Sequence, residues 1–522
     1  MNALVIYNAR LVDENINSFG AVLCVDGTIR AVLQGNYKTQ AVAEQSVRAL
    51  LAEEGFSGFS ADGVDAGNDT NGAVKGTNTM VEFFDAEGLT LTPAFIDMHV
   101  HFRDPGLTEK EDLESGLRAA IAGGYGTVVA MPNTKPVVSS AEDALSLINR
   151  ANKIDLCNFY QSVSITKDFS GEDISHLETL SSRDVPLITE DGHDVDCAHT
   201  MFEAMKTAAS KGMIVSGHCE DSSFAQAARP HRKAALDVMK KYNLPAYGLD
   251  VDTSDVSKDA LEDIKRELTD ANTLLYTAEN IATTRNIELA RMADCHIHIC
   301  HISTEGAIEA VRSAKELFPA GGVAGAVAEA EAARNSEDGA GACDGNGGGD
   351  ANSGFCVTAE ATPHHIALSG DEEPNIRALV NPPLRSECDR RALIEAIRDG
   401  TIDCIATDHA PHTLEDKANG APGFTGLECA YSVCNTVLVK GGEITKQDLS
   451  RLMSASPARI LHLKKGVLSV GYDADFALVS PDEKRVIHAK DFYSKGKATP
   501  FDGKSFFGVV KATFIGGKKK AL

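Results

Sequence analysis

Apolar runs that end in polar, chemistry-bearing residues recur along the middle of this chain. They read LTPAFIDMHVHF, GTVVAMPN, NFYQSVSIT, VPLITED, GMIVSGHCE, HIHICHIS, FCVTAEATPHH and DCIATDHAPH, eight in all. Most are separated by enough residues for a helix. Short apolar runs alternating with helical stretches predict parallel strands joined by crossover helices, and eight such alternations predict a (β/α)8 barrel. Nearly every run finishes, at its C-terminal side, on His, Asp, Glu or Asn. That is the end at which barrel enzymes carry their chemistry, and a purely structural barrel has no reason to repeat it.

The two ends of the chain have a different pattern. ALVIYNARLV, FGAVLCVDGTIRAVL and MVEFFDAEGLTLTPA read as short strands, with a tight turn at Asp26–Gly27. KKGVLSVGYDADFALVS and GVVKATFIGGKKK return to the same flavour near the C-terminus. The fold class expected is therefore α/β: a catalytic barrel over 91–463 and a small composite β-sandwich domain formed from 1–90 and 464–522. Three stretches look inserted. Residues 40–79 hold a helical piece, AVAEQSVRALLAEEG, and a Gly/Asn/Asp-rich loop. Residues 229–270 are charged and follow the HCE run directly, so they leave from the catalytic face and are placed to cover part of the mouth. Residues 321–354 are Gly/Ala-rich low complexity between a helix and the next strand, on the opposite face.

Composition narrows the class without changing this picture. At 522 residues and 43% apolar content, the chain has room for a large barrel and a smaller module. No run of about 18 apolar residues is present, and MNALVIYNARLVDE lacks the basic leader of a secretory signal. Twelve scattered cysteines suit reduced thiols; together these features predict a cytoplasmic protein. A formal charge of −25 argues against nucleic-acid surfaces and anionic membranes. It also requires a locally positive pocket for any anionic substrate.

The strand ends supply the candidate chemistry. In FIDMHVHFRDP, His99, His101 and Arg103 stand at alternate positions and are expected to share one strand face. His99 and His101 can reach one ion. His218, His301 and Asp408 end the fifth, sixth and eighth runs, and Asp191 of ITEDG ends the fourth. Four histidines and two carboxylates at one barrel mouth suit two divalent ions, with zinc the best match and manganese or cobalt conceivable. Asp191 is central in strand order and placed to bridge them; Glu190 beside it is the rival. Two such ions would lower the pKa of a shared water, the basis of hydrolysis or its reversal, and Asp408 is placed to carry the proton to a leaving nitrogen. His409 falls on the opposite strand face. His296, His298 and Cys219 read as packing, and His364 and His365 as groups that orient their loop.

Taken together, HVHFRDPG, MPNTKP, TEDG, GHCED, CHIST, TAEATPHH, NPPLR and ATDHAPH resemble the dihydroorotases of the long bacterial type, within the amidohydrolase superfamily. The resemblance spans the barrel from Leu91 to about Leu463 in the family's order. It implies that His99, His101 and Asp408 hold one zinc ion and His218 and His301 a second, with Asp191 between. It further implies that Arg103 and Asn133 bind the substrate carboxylate, helped by His412. His101, Asn381, Pro422 and Gly423 are the other substrate contacts it implies. The reaction implied is the reversible closure of N-carbamoyl-aspartate to dihydroorotate in pyrimidine biosynthesis, with Asp408 as general acid/base. A small-molecule substrate and a homodimer or an aspartate transcarbamoylase association belong to the same implication.

Two features depart from common patterns. Many amidohydrolases bridge their metals with a carboxylated lysine, and VPLITEDG has none; this matches the dihydroorotases that use aspartate. Where the family often reads Pro-Phe-Gly, this chain has Ala421-Pro422-Gly423-Phe424. Hydantoinase or allantoinase activity is the alternative, disfavoured because an uncharged ureide has no use for a buried guanidinium. A catalytically dead scaffold is the other, disfavoured because such proteins are expected to lose ligands and all six positions are filled.

Overall fold

The structure, a computed structural model, describes residues 2–53, 59–60, 79–244, 252–318, 354–371 and 379–522. The loop of the first expected insertion and nearly all of the low-complexity insertion lie outside the described residues.

The eight apolar runs form a parallel barrel. Phe95–Val100, Tyr125–Ala130 and Asn158–Gln161 pair in order. The third run continues as Val163–Ser164 and leads into Leu187–Thr189, Ile214–Gly217, His296–Ile299, Cys356–Ala361 and Cys404–Ile405. The barrel closes through a parallel bridge between Val100 and His409, with the His101 N–H donating to the His409 carbonyl at 2.8 Å. Asp97 reinforces this seam: its carboxylate accepts the Thr407 N–H at 3.1 Å. Strands buried on both faces explain why the runs are continuously apolar rather than alternating. Helices such as Leu113–Ala122, Ala141–Ile154, Ala198–Ser210 and Glu305–Leu317 cover the outside with apolar stripes. Leu117, Leu147, Met205 and Val311 join the strand residues Val128, Ile188 and Ile297 in one continuous core.

The chain ends build one nine-stranded sheet. Asn2–Val12 lies between Asn17–Val25 and the short strand Thr90–Pro93; Phe476–Val486 and Ser505–Ile515 continue the sheet beyond Thr90–Pro93. The turn at Asp26–Gly27 has positive φ at both residues, 47° and 84°, the backbone of a tight hairpin turn. Helix Gln40–Glu53 places Ala43 and Val47 against Ala3, Val5 and Tyr7 of this sheet.

The expected segment 229–270 contributes to a helical pair, Ser222–Lys241 and Lys258–Met292; its residues 245–251 lie outside the described residues. As expected of a segment leaving the catalytic face, the first helix packs on loops at the mouth. Leu236 sits where a Gly420 side chain would be, and Lys240 Nζ donates to Asn419 Oδ1 at 3.3 Å. No helix among the described residues is long and apolar enough to cross a membrane.

Candidate metal centre and substrate pocket

Each candidate ligand sits at or just beyond a strand end, and all are buried. Asp191 is at the middle of the group. Its Oδ1 lies 3.3 Å from His99 Nε2, 3.3 Å from His218 Nδ1 and 3.7 Å from His301 Nε2; its Oδ2 lies 3.4 Å from His101 Nε2. Asp408 Oδ1 is 3.0 Å from His101 Nε2 and 3.6 Å from His99 Nε2. His218 Nδ1 and His301 Nε2 face each other at 3.0 Å. Glu190 points elsewhere, accepting the Thr166 N–H at 2.9 Å. The structure therefore brings together all six residues, with Asp191 rather than Glu190 facing the group.

The hydrogen bonding around these rings shows what the cluster is built to hold. His99 Nδ1 is 2.8 Å from Glu360 Oε1. A proton on Nδ1 leaves the Nε2 lone pair aimed at Asp191 Oδ1, and both of those buried atoms lack a hydrogen-bond partner. His101 repeats the arrangement, with Nδ1 against Asn133 Oδ1 at 2.9 Å and Nε2 toward Asp408. Burial opposes charging His99, but Asp191 and Glu360 hold its pKa well above the ordinary value. A divalent cation between these rings and carboxylates would take the place of that proton, with the far nitrogens already fixed by acceptors. His99, His101 and Asp408 form one group of ligand atoms within reach of a single ion, and His99, Asp191 and His301 form another. Burial works against ionising Asp191, but the adjoining His99, with His218 and His301, holds its carboxyl well below the usual range. Burial likewise opposes Asp408, and the bond from His101 with the field of His99 brings it to about 2.

Local backbone aims these side chains. His301 and Asp408 are non-glycine residues at φ 32° and 46°, the sparsely populated left-handed region that persists only where surroundings impose it. His301 is braced by the second inserted helix: Glu279 accepts the N–H groups of Ser303 and Thr304 at 2.7 and 3.0 Å, and Arg385 pairs with it at 3.0 Å.

Arg103 reaches the pocket by a different route from the one period-two spacing predicts. The strand ends at Val100, and Arg103 stands at φ 57° in the turn beyond it. Its guanidinium is buried, with Nε donating to Pro411 O at 3.3 Å and Nη2 3.3 Å from His412 Nε2. It forms no ion pair among the described residues. Asn133, expected at the substrate carboxylate, has both amide ends occupied: Oδ1 by His101 and Nδ2 by Asp191 Oδ2 at 3.0 Å. Asn381 Oδ1 is held by Arg232 at 2.5 Å. Gly423, at φ 126°, leaves no room for a side chain, since a Cβ would meet Ala410 at 2.7 Å; Pro422 beside it is exposed.

Several expected bystanders fall outside the cluster. His409 lies 3.4 Å from Glu111 and receives the Gly426 N–H. His298 bonds Thr358 and Glu360, His296 bonds Thr358, and His365 bonds Thr362 and the Pro382 carbonyl. Cys219 is buried against Asn286. Sequence reasoning missed Glu360, Arg232 and Lys417. Glu360 left a signal, an acid within the buried run FCVTAEA; the other two left none.

The sequence pattern of the Amidohydrolase family matches residues 90–520, which spans barrel and ligands together. The chain belongs to the amidohydrolase family. This amidohydrolase is 35% identical to a dihydroorotase of Clostridium botulinum (strain Eklund 17B / Type B) over 479 residues, covering 91% of this chain and 98% of that one. It is 36% identical to a dihydroorotase of Bacillus subtilis (strain 168) over 440 residues, covering 83% and 87%. Among solved structures it is similar to an L-hydantoinase (dihydropyrimidinase) of Arthrobacter aurescens, with TM-score 0.72 and 21% identity, covering 100% of this chain and 96% of that one. That likeness establishes the shared fold, a TIM-type barrel with an attached β-sandwich domain.

Proposed function

We propose that this amidohydrolase is a dihydroorotase that interconverts N-carbamoyl-aspartate and dihydroorotate. The observation that carries the reading is Arg103: a buried guanidinium beside the donor cluster, without a carboxylate partner among the described residues. A buried cation left unpaired is costly unless something anionic arrives. Dihydroorotate is a cyclic ureide bearing one carboxylate, and a planar guanidinium can grip that group through two parallel bonds. Neutral hydantoins and dihydropyrimidines offer it nothing. The identity to dihydroorotases supports the same choice, whereas the hydantoinase likeness is one of fold.

The ligand set is read as His99, His101 and Asp408 for one zinc ion and His218 and His301 for the other, with Asp191 between. When bound, the two ions supply Lewis acidity for activating water and polarising the ring carbonyl. Arg103, with His412 at its Nη2, orients the substrate by its carboxylate. Asn381, Pro422 and Gly423 are read as further substrate contacts, with Gly423 beside His412. Asn133 holds His101 and Asp191 in register in addition to any substrate contact. Asp408, kept ionised near neutral pH, takes the proton of the attacking water and hands it to the departing ring nitrogen. Ring closure runs the same transfers backwards.

Zinc-loaded protein is expected to interconvert N-carbamoyl-aspartate and dihydroorotate and to leave hydantoin essentially untouched. Asp408→Asn should abolish turnover, and Arg103→Met should retain metal while losing carboxylate-bearing substrates. Turnover of hydantoin equal to that of dihydroorotate, or unchanged dihydroorotate binding by Arg103→Met, would refute the assignment.

A further inference from the structure

Two cations in the wall of the barrel mouth have no carboxylate to pair with among the described residues. Lys417, on the short helix Leu414–Ala418, is completely buried. Its ammonium donates to three backbone carbonyls: Leu379 O at 2.9 Å, Ala421 O at 2.7 Å and Gly423 O at 2.9 Å. It also lies 5.2 Å from the centre of the Phe424 ring. Arg232, half-buried on the inserted helix Ser222–Lys241, donates through Nη1 to Asn381 Oδ1 at 2.5 Å and through Nη2 to Val380 O at 3.2 Å.

Burying a lysine without a counter-charge is unfavourable unless every proton finds an acceptor. Here three protons meet three carbonyls, which belong to two segments far apart in sequence. One segment is 379–381, which carries Asn381. The other is 421–423, which carries Pro422 and Gly423. The Gly423 N–H adds a direct bond between them, to Leu379 O at 2.9 Å. Arg232 holds the first segment again from outside, by a backbone carbonyl and by the Asn381 side chain itself. Val380 and Leu384 pack on Phe424 and so already bring the two loops together. The two side chains then fix the carbonyls of each segment.

We propose that Lys417 and Arg232 are positioning residues that clasp segments 379–381 and 421–423 into the substrate-binding face of the pocket, setting affinity rather than turnover. The proposal rests on the dihydroorotase reading for the identity of the substrate, but the clasp itself does not depend on it. It also gives the inserted helix a task at the site.

The test uses full-length, metal-loaded protein with Lys417→Met and Arg232→Met, read by steady-state kinetics with dihydroorotate and by hydrogen exchange at the Gly423 amide. Lys417→Met should raise KM by roughly tenfold or more while kcat stays within about threefold. Arg232→Met, at a half-buried surface position, should raise KM by about threefold or more. Both should speed exchange at Gly423 while metal content stays at the wild-type level. A KM within about twofold of wild type in Arg232→Met, or a fall in kcat with KM unchanged, overturns the clasp. Arg232→Met also decides the matter if Lys417→Met does not fold. If wild-type protein turns over no dihydroorotate, the substrate reading fails instead; unaltered exchange at Gly423 would then still overturn the clasp.

Discussion

At the scale of single residues, the candidate site is defined by what stands behind each candidate ligand as much as by the ligands themselves. His99 is held by Glu360, which also accepts from His298 and from the His301 N–H, at 2.8, 3.0 and 3.2 Å. One carboxylate thus fixes the tautomer of one histidine and the backbone of another. Replacing it by the isosteric amide removes the charge that makes His99 Nε2 a strong donor. Glu360→Gln is expected to weaken metal binding by about 10–100-fold, as loss of such outer partners generally does, and titration of apo-protein with zinc measures it. The clustering of the six candidate residues was legible from sequence because parallel strands all end on one rim, so a polar residue closing an apolar run has one place to go. Arg103 was legible as a residue but not as geometry: alternation places it on the strand face, whereas a left-handed turn after Val100 aims it. Asn133 shows the reverse error of emphasis. Its place at the site was foreseen, but not that both ends of its amide would already be engaged by His101 and Asp191.

At the scale of elements, the inserted helical pair is coupled to the site at two points. The first helix reaches the Asn381 segment through Arg232. The second, Lys258–Met292, reaches the His301 loop through Glu279, whose carboxylate is satisfied by Ser303, Thr304 and Arg385. Arg385 in turn bonds the carbonyls of Asn272 and Leu275 on that helix. Arg385→Met would strand the Glu279 carboxylate in the interior, a change that costs about 3–5 kcal/mol. A clear fall in Tm by calorimetry is expected; an unchanged Tm would show that the pair contributes nothing net. None of this was readable in sequence. The charged stretch looks like a solvated surface; Arg232 meets Asn381 149 residues away, and Glu279 meets Arg385 106 residues away. Lys417 was hidden for a sharper reason: in LEDKA it carries the polar signature of an exposed turn, yet tertiary structure buries it completely.

At the scale of the whole molecule, the alternation of apolar runs predicted the barrel correctly because period, length and end chemistry all agreed. The long-range closures could not be read from it. The candidate metal ligands come from strands all around the barrel, including the first and last, which meet at the Val100–His409 seam. Bound ions would therefore tie the circle shut. With free zinc about a thousandfold above its dissociation constant, the linkage is worth about 4 kcal/mol, so a chelator should lower Tm reversibly and added zinc restore it. An unchanged Tm after complete demetallation would show that the barrel closes without them. The composite sheet has a consequence for the birth of the protein. Leu91 pairs with Leu478, and Thr92 with Ala477. At ribosomal speeds of about 5–20 residues per second, the strand at Thr90–Pro93 waits about 20–80 s for its neighbour to be made. Throughout that interval one edge and an apolar face lie open, so the nascent chain is at its most adhesive while the enzyme is still only a barrel in the making.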